Sequence, residues 1–181
     1  MTLETEVEEA FLSSVKALYE ENRDSGFLAK LKEQAWASFI EQGLPERKHE
    51  DFKYIKLRDL YGRAVSASFT TEVSLEDVEA MTLSSCREGR IVFVNGHFRE
   101  ELSRFPKNAS LMPLQKAART FNAFFVNEWG FLIRQETNPF YLLNTSFTKD
   151  GAFIYLPPNT KVETPVQVIF ITTEDNPTML I

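Results

Sequence analysis

Cysteine is almost missing from this 181-residue chain, where Cys86 stands alone. That excludes an intrachain disulfide framework and any Cys-x-x-Cys metal or redox site. Histidine is nearly as scarce: with only His49 and His97, a metal cage built from this chain would have to rely on carboxylates. No apolar run is long enough to span a bilayer. No basic-then-apolar leader opens the chain, whose first residues include Glu4, Glu6, Glu8 and Glu9. Basic residues are outnumbered, 20 against 26 acidic, for a net charge of −6. An acidic balance argues against general nucleic-acid or anionic-membrane binding, both of which want an excess of Lys and Arg. The composition is that of a cytoplasmic protein in a reducing compartment, with no nucleic-acid and no membrane partner.

The motifs of self-contained chemistry are also missing. Neither a Gly-x-Gly-x-x-Gly nor a Gly-x-x-x-x-Gly-Lys-Ser/Thr phosphate loop occurs. His49-Glu50 has Lys53 where a zinc-binding second histidine would stand, and no Gly-x-Ser-x-Gly elbow supports a serine hydrolase. Cys86 precedes Arg87 but has no histidine near it in sequence to act as base. His97 has no nucleophile near it in sequence either. Two Asn-x-Ser triplets, at Asn108 and Asn144, lack the secretion signal that would make them glycosylation sites. No residue is assigned a catalytic, cofactor-binding or metal-binding role, and the chain is not expected to be an enzyme.

What the sequence does hold is aromatic and periodic. Thr5, three residues before Glu8, has the spacing of a capping box, and Val7, Phe11, Val15 and Leu18 lay one stripe along a first helix. After the polar run 21–26, a second stripe follows: Phe27 or Leu28, Leu31, Ala35, Trp36, Phe39 and Ile40. Gly43 and Pro45 end it, and the short turn predicts an antiparallel pair. Residues 44–61 interleave Arg47, Lys48, Lys53, Lys56 and Arg58 with Phe52, Tyr54 and Tyr61. Such a run can be a patch for single strands; Glu46, Glu50, Asp51 and Asp59 among the cations make it self-paired surface instead.

Residues 66–85 read as a polar stretch. Ile91-Val92-Phe93-Val94 then runs into Asn95-Gly96, which predicts a strand at 90–94, a tight turn and a return strand at 97–99. Helical spacing covers 120–136, and 139–147 reads as a short helix or a buried connector. The period changes afterwards. The runs 152–156 and 166–171 are short, nearly continuously apolar and bounded by turn residues, as in strands buried on both faces. There is no room between them for a crossover helix, so successive coils of a solenoid are expected. Asp175-Asn176-Pro177 resets a turn, and 178–181 opens another strand, so the chain reads as a truncated piece of a longer one.

Four motifs, in order, then carry a family resemblance over about residues 40–175. Gly43-Leu44-Pro45-Glu46-Arg47-Lys48-His49-Glu50-Asp51-Phe52-Lys53-Tyr54 resembles the G-L-P-T-R-K-x-E-D-W-K-Y signature of the SufD family. Phe52 and Glu46 depart from it. Ile91–Phe98 is similar to its V-F-V-N-G-x-F hairpin, Leu143–Ala152 to its L-N-x-A-F-x-x-D-G coil entry, and Pro158–Val166 to its P-x-x-x-x-V-E-x-P segment. SufD is a subunit of the SufBCD iron–sulfur cluster assembly machinery; SufB shares the coil entry but begins differently.

The resemblance implies an α+β chain: an N-terminal helical subdomain over 1–147, with a β-hairpin near 90–99, followed over 148–181 by the first coils of a truncated right-handed parallel β-helix. It also implies a scaffold acting with a SufB-like subunit and a SufC-like ABC ATPase. The cluster belongs to the assembled complex, and the family's partner surfaces and cluster-building residues lie beyond Ile181. The competing readings are a polysaccharide-acting β-helix enzyme and an interaction module unrelated to cluster assembly. The exposed edge of the last coil can be covered by a second copy, making a homodimer of the isolated chain, or by collapse, or stay open.

Overall fold

The computed structural model describes residues 3–23, 25–45, 49–173 and 179–180. In chain order the elements are α1 (Leu3–Glu21), α2 (Ala29–Gln42), a 3-10 turn (Glu50–Phe52), α3 (Leu57–Tyr61), β1 (Ser66–Ala67) and α4 (Leu75–Met81). Next come β2 (Arg90–Val94), β3 (His97–Phe98), β4 (Ser110–Pro113), α5 (Leu114–Thr120) and α6 (Asn122–Phe124). A π-helical turn (Phe125–Trp129) leads to α7 (Gly130–Gln135), α8 (Pro139–Phe147), β5 (Ala152–Tyr155), β6 (Gln167–Ile171) and β7 (Met179–Leu180). The chain therefore mixes helices with small sheets, an α+β composition. Two compact units share it: residues 1–67, 122–148 and 177–181 form one, residues 68–121 and 149–176 the other.

The first unit is helical. The stripe of α1 is present, with Phe11 and Val15 buried, although the helix starts at Leu3 and so contains Thr5 instead of being capped by it. Gly43 closes α2 at φ +72°, its N–H donating to the Phe39 carbonyl at 2.8 Å. The expected pairing of α1 along α2 is replaced by a different packing. The two helices meet near their connecting turn, where Tyr19 stacks on Trp36 at 4.0 Å between ring centroids. Along its length α2 packs chiefly on α8 and α7, and α1 on α3. The reason is the apolar supply: Leu31, Ala35 and Phe39 of α2 find Leu142, Leu143 and Phe147 of α8, all buried. Helix α8 is well begun, with Pro139 in its first turn and Asn138 Oδ1 accepting from the Phe140 amide at 2.9 Å.

The second unit holds the strands. β2 and β3 form the expected hairpin, with Asn95 at φ +48° and Gly96 at φ +80° in its turn. β2 is also paired in parallel with β6, from Arg90 opposite Gln167 to Val94 opposite Ile171, giving the order β3-β2-β6. Val78 of α4 and Leu102 form one buried cluster with Val92 and Val94 of β2 and Ile169 of β6. β4 pairs antiparallel with β5, from Ser110 opposite Tyr155 to Pro113 opposite Ala152.

These pairings correct the solenoid expectation. The strands at 152–155 and 167–171 exist, but they are in different sheets, and among the described residues there is no parallel β-helix. Each strand takes an upstream partner, β4 or β2, instead of stacking on the other. Nor are they buried on both faces: Ile169 is buried while Phe170 is 73% exposed. Within this unit only one face of β6 has a covering layer. Of the last expected strand, Met179–Leu180 pairs in parallel with Ser66–Ala67; the turn expected at Asp175–Pro177 lies outside the described residues.

Candidate functional site

The segment singled out for its cations and aromatics folds into the wall of a cleft in the first unit. Phe52, at the end of the 3-10 turn, is buried edge-on against Phe140, with centroids 5.4 Å apart. Tyr61, at the end of α3, is only 5% exposed and lies against Phe11 of α1, at 5.1 Å between centroids. Between them opens a cleft of about 440 Å³, which Val7 and Glu8 of α1 complete on the other side. Its apolar surface comes from Val7, Pro45, Ile55 and Leu57, and its charged rim from Lys53, Lys56, Arg58, Glu8 and Asp59.

Two features of this cleft are electrostatic. The Tyr61 hydroxyl is shut off from solvent and has no hydrogen-bond partner among the described residues. An unpaired buried donor costs about 1–3 kcal/mol, so the site keeps an unmet demand for an acceptor. Burial, helped by the negative charge of Glu8, pushes the phenol pKa up to about 12, so Tyr61 is a donor at any physiological pH. The rim cations differ among themselves. Lys53 is engaged, with Glu50 at 3.3 Å and the Tyr54 ring beneath it; Lys56 and Arg58 have no ion-pair partner among the described residues.

Histidine 97 is better accompanied than its sequence neighbours indicated. Ser68 Oγ lies 3.0 Å from His97 Nε2, a distance at which an imidazole can take a hydroxyl proton. Among the described residues no carboxylate is hydrogen-bonded to the other ring nitrogen. Proximity of the two residues is a folding result, and nothing in the sequence between them signals it. His49 instead accepts from the Asp51 amide at 3.4 Å and caps the 3-10 turn. Cys86 is buried, with Ser85 Oγ 3.7 Å from its sulfur. Among the described residues no group of three His, Cys, Asp or Glu side chains is placed to hold a metal ion. No described helix is long and apolar enough to cross a membrane.

The hairpin motif and the parts of the later motifs that fall within residues 150–166 turn out to be joints of the second unit. Asn95 of the hairpin turn is fully buried, and its carboxamide is spent on Thr173 just beyond β6: Oδ1 accepts from the Thr173 amide and Nδ2 donates to its hydroxyl, each at 3.0 Å. Asp150 binds two amides, Gly151 at 2.8 Å and Phe98 of β3 at 3.0 Å, and so fixes where β5 starts. Gly89, just before β2, faces Pro165: a Cβ there would sit 2.8 Å from the Pro165 carbonyl oxygen. The neighbouring Gln167 amide donates to the Gly89 carbonyl at 3.0 Å, opening the β2–β6 ladder.

The SufBD protein N-terminal region matches residues 1–168. The chain belongs to the SufBD family. A curated relative is the iron-sulfur cluster assembly SufBD family protein of Synechocystis sp., 25% identical over 138 residues. That alignment takes in 73% of this chain and 30% of the relative, so the chain spans about a third of the length of the protein it matches. The family takes in SufB and SufD alike, a coarser assignment than the resemblance to SufD alone, and iron–sulfur cluster assembly is the role in the relative's name. In this SufBD region Asn95, Asp150 and Gly89 act on the backbone, and each has its partners within the chain. They account for part of why the fold has these residues without making any of them a reactive group.

Proposed function

We propose that the chain is the N-terminal region of a SufD-type scaffold in the SUF iron–sulfur cluster assembly machinery, working beside a SufB-like subunit and a SufC-like ABC ATPase. The observation that carries this reading is the family match over residues 1–168. The SufD side of the family is favoured by the Gly43–Tyr54 signature, since SufB begins differently. The cluster is cargo of the assembled complex. The one cysteine of this chain is buried against Ser85, and iron–sulfur ligation wants accessible thiolates. The region's work in this reading is structural: it is not an enzyme, and ATP is hydrolysed by the partner. Its strands β5 and β6 lead into a right-handed parallel β-helix that the described residues do not themselves form. The expected compartment is the cytoplasm.

Affinity purification of the native protein from its source cells, tagged ahead of residue 1, tests the reading. Recovery of a SufB-like subunit and an ABC ATPase is the expected result, with loss of iron–sulfur enzyme activities when the gene is deleted. Recovery of neither subunit, together with unaffected iron–sulfur enzymes in the deletion strain, would sink it.

A further inference from the structure

We propose that the cleft over Tyr61 is a docking site for a segment of a partner protein in which a carboxylate stands beside an aliphatic side chain. The proposal is independent of the role in cluster assembly and rests on four features of one place. The first is local charge. In a chain of net charge −6, the cleft is lined by three cations, Lys53, Lys56 and Arg58, against Glu8 and Asp59, and Lys56 and Arg58 have no ion-pair partner among the described residues. Opposite charge is what such a rim recruits, and Arg in particular grips a carboxylate with two parallel donors. Glu8 and Asp59 also line the cleft and oppose an anion, so the carboxylate belongs at the Lys56–Arg58 side.

The second feature is the apolar bed. Val7, Pro45, Ile55 and Leu57 offer a concave surface of the size that takes one or two aliphatic side chains. The third is Tyr61, a lining residue 5% exposed whose hydroxyl has no hydrogen-bond partner among the described residues. The acceptor assigned to it is a carbonyl or carboxylate oxygen of the incoming segment. Buried aromatic residues with a polar tip are the usual anchors of protein interfaces.

The fourth feature separates a protein segment from a small amphipathic anion. The apolar surface does not stop at the cleft: Tyr54, next in sequence to the lining residue Ile55, is 89% exposed and is not part of the lining. A small molecule seated in the cleft would leave this surface uncovered, whereas a longer segment runs across it.

The test uses the full chain, labelled with nitrogen-15, and three probes: acetyl-Leu-Glu-Leu-Glu-Leu-amide, the same peptide with lysine replacing glutamate, and octanoate. The acidic peptide should give saturable amide shifts confined to residues around 7–8 and 52–61, with the lysine peptide giving none. Lys56→Glu with Arg58→Glu should weaken the acidic peptide about tenfold, the scale of reversing two rim contacts. Both positions are exposed, so a thermal melt will show the fold intact. Tyr61→Phe should weaken it about threefold while leaving the melting temperature unchanged or raised. Equal shifts from both peptides, binding that survives the double variant, or unchanged affinity in Tyr61→Phe would each overturn the proposal. Octanoate binding at the cleft as tightly as the acidic peptide would overturn it in favour of a small-anion site.

Discussion

Asn95 and Thr173, 78 positions apart, are joined by paired hydrogen bonds of 3.0 Å, and the Asn95 side chain is fully buried where they meet. The same asparagine provides the positive φ of the hairpin turn, and its own amide donates to the Ile171 carbonyl at 2.8 Å. One residue thus turns β2 into β3 and ties down the end of β6.

Asn95→Ala should therefore be among the most damaging single changes in the second unit. It leaves the Thr173 amide without its acceptor, opens a small void and puts alanine at a left-handed φ. The expected loss is about 2–3 kcal/mol, the scale of a buried group left unpaired plus backbone strain. Asn95→Gly should recover only the strain. Urea melts of the two variants check the order, and equal stabilities would contradict a role for the carboxamide.

Gly89→Ala tests the other end of the β2–β6 ladder. Its Cβ would lie 2.8 Å from the Pro165 carbonyl and 3.2 Å from a Val166 methyl. Because the closest atom is backbone, relief requires moving the strand. A loss of about 1–3 kcal/mol is expected, as for other overpacked sites. A melt superimposable on the parent would show that the approach is looser than this.

Much of this architecture was legible in the residues, and what was not follows a pattern. Periodicity revealed α1 and α2 because each presents one apolar face; the helical 120–136 stretch was legible too, although Phe124, Phe131 and Leu132 in it are exposed. Asn95-Gly96 revealed its hairpin because turn chemistry is local. Helix α4 was missed inside a polar stretch, since Val78 is its only buried side chain. The cap was there to be read: Ser74 accepts from the Asp77 amide at 3.1 Å and donates to its carboxylate at 2.6 Å. The strand partners could not be read, because β6 pairs with residues far upstream and an apolar run does not say which strand it will join. The exposed Phe170 shows the same limit, as a run of apolar residues does not disclose that only one of its faces is covered. At the cleft, the cations and aromatics of residues 44–61 were visible as composition. Their concavity, and the orphaned Tyr61 hydroxyl, exist only once α1 and α3 pack.

The Ser68–His97 pair leads to a negative prediction. A serine hydrolase needs its imidazole held in the right tautomer by a second group, and among the described residues no carboxylate is bonded to His97 to do so. A fluorophosphonate probe should leave Ser68 unlabelled, as read by intact mass. Stoichiometric labelling lost in His97→Ala would reverse this and make the pair a nucleophile and its base.

Tyr61 gives a prediction in the alkaline range. Its phenol holds its proton more tightly in the folded chain, with a pKa near 12 against an ordinary value near 10. Between those values the unfolded chain has released the proton and the folded chain has not, so the unfolded state binds fewer protons. Stability must then fall as pH rises through that window, and below pH 10 this contribution is fully present. Burial raises the Tyr19 phenol as well, so ultraviolet absorbance of tyrosinate should show Tyr61 as the last step among the late-ionising tyrosines, and Tyr61→Phe should remove that last step. The same variant should flatten the loss of stability between pH 10 and 12, because it no longer has a proton to lose. At neutral pH it should be as stable as the parent or more so, since it deletes a buried donor that has no acceptor. Marked destabilisation at neutral pH would mean that the hydroxyl has a partner after all.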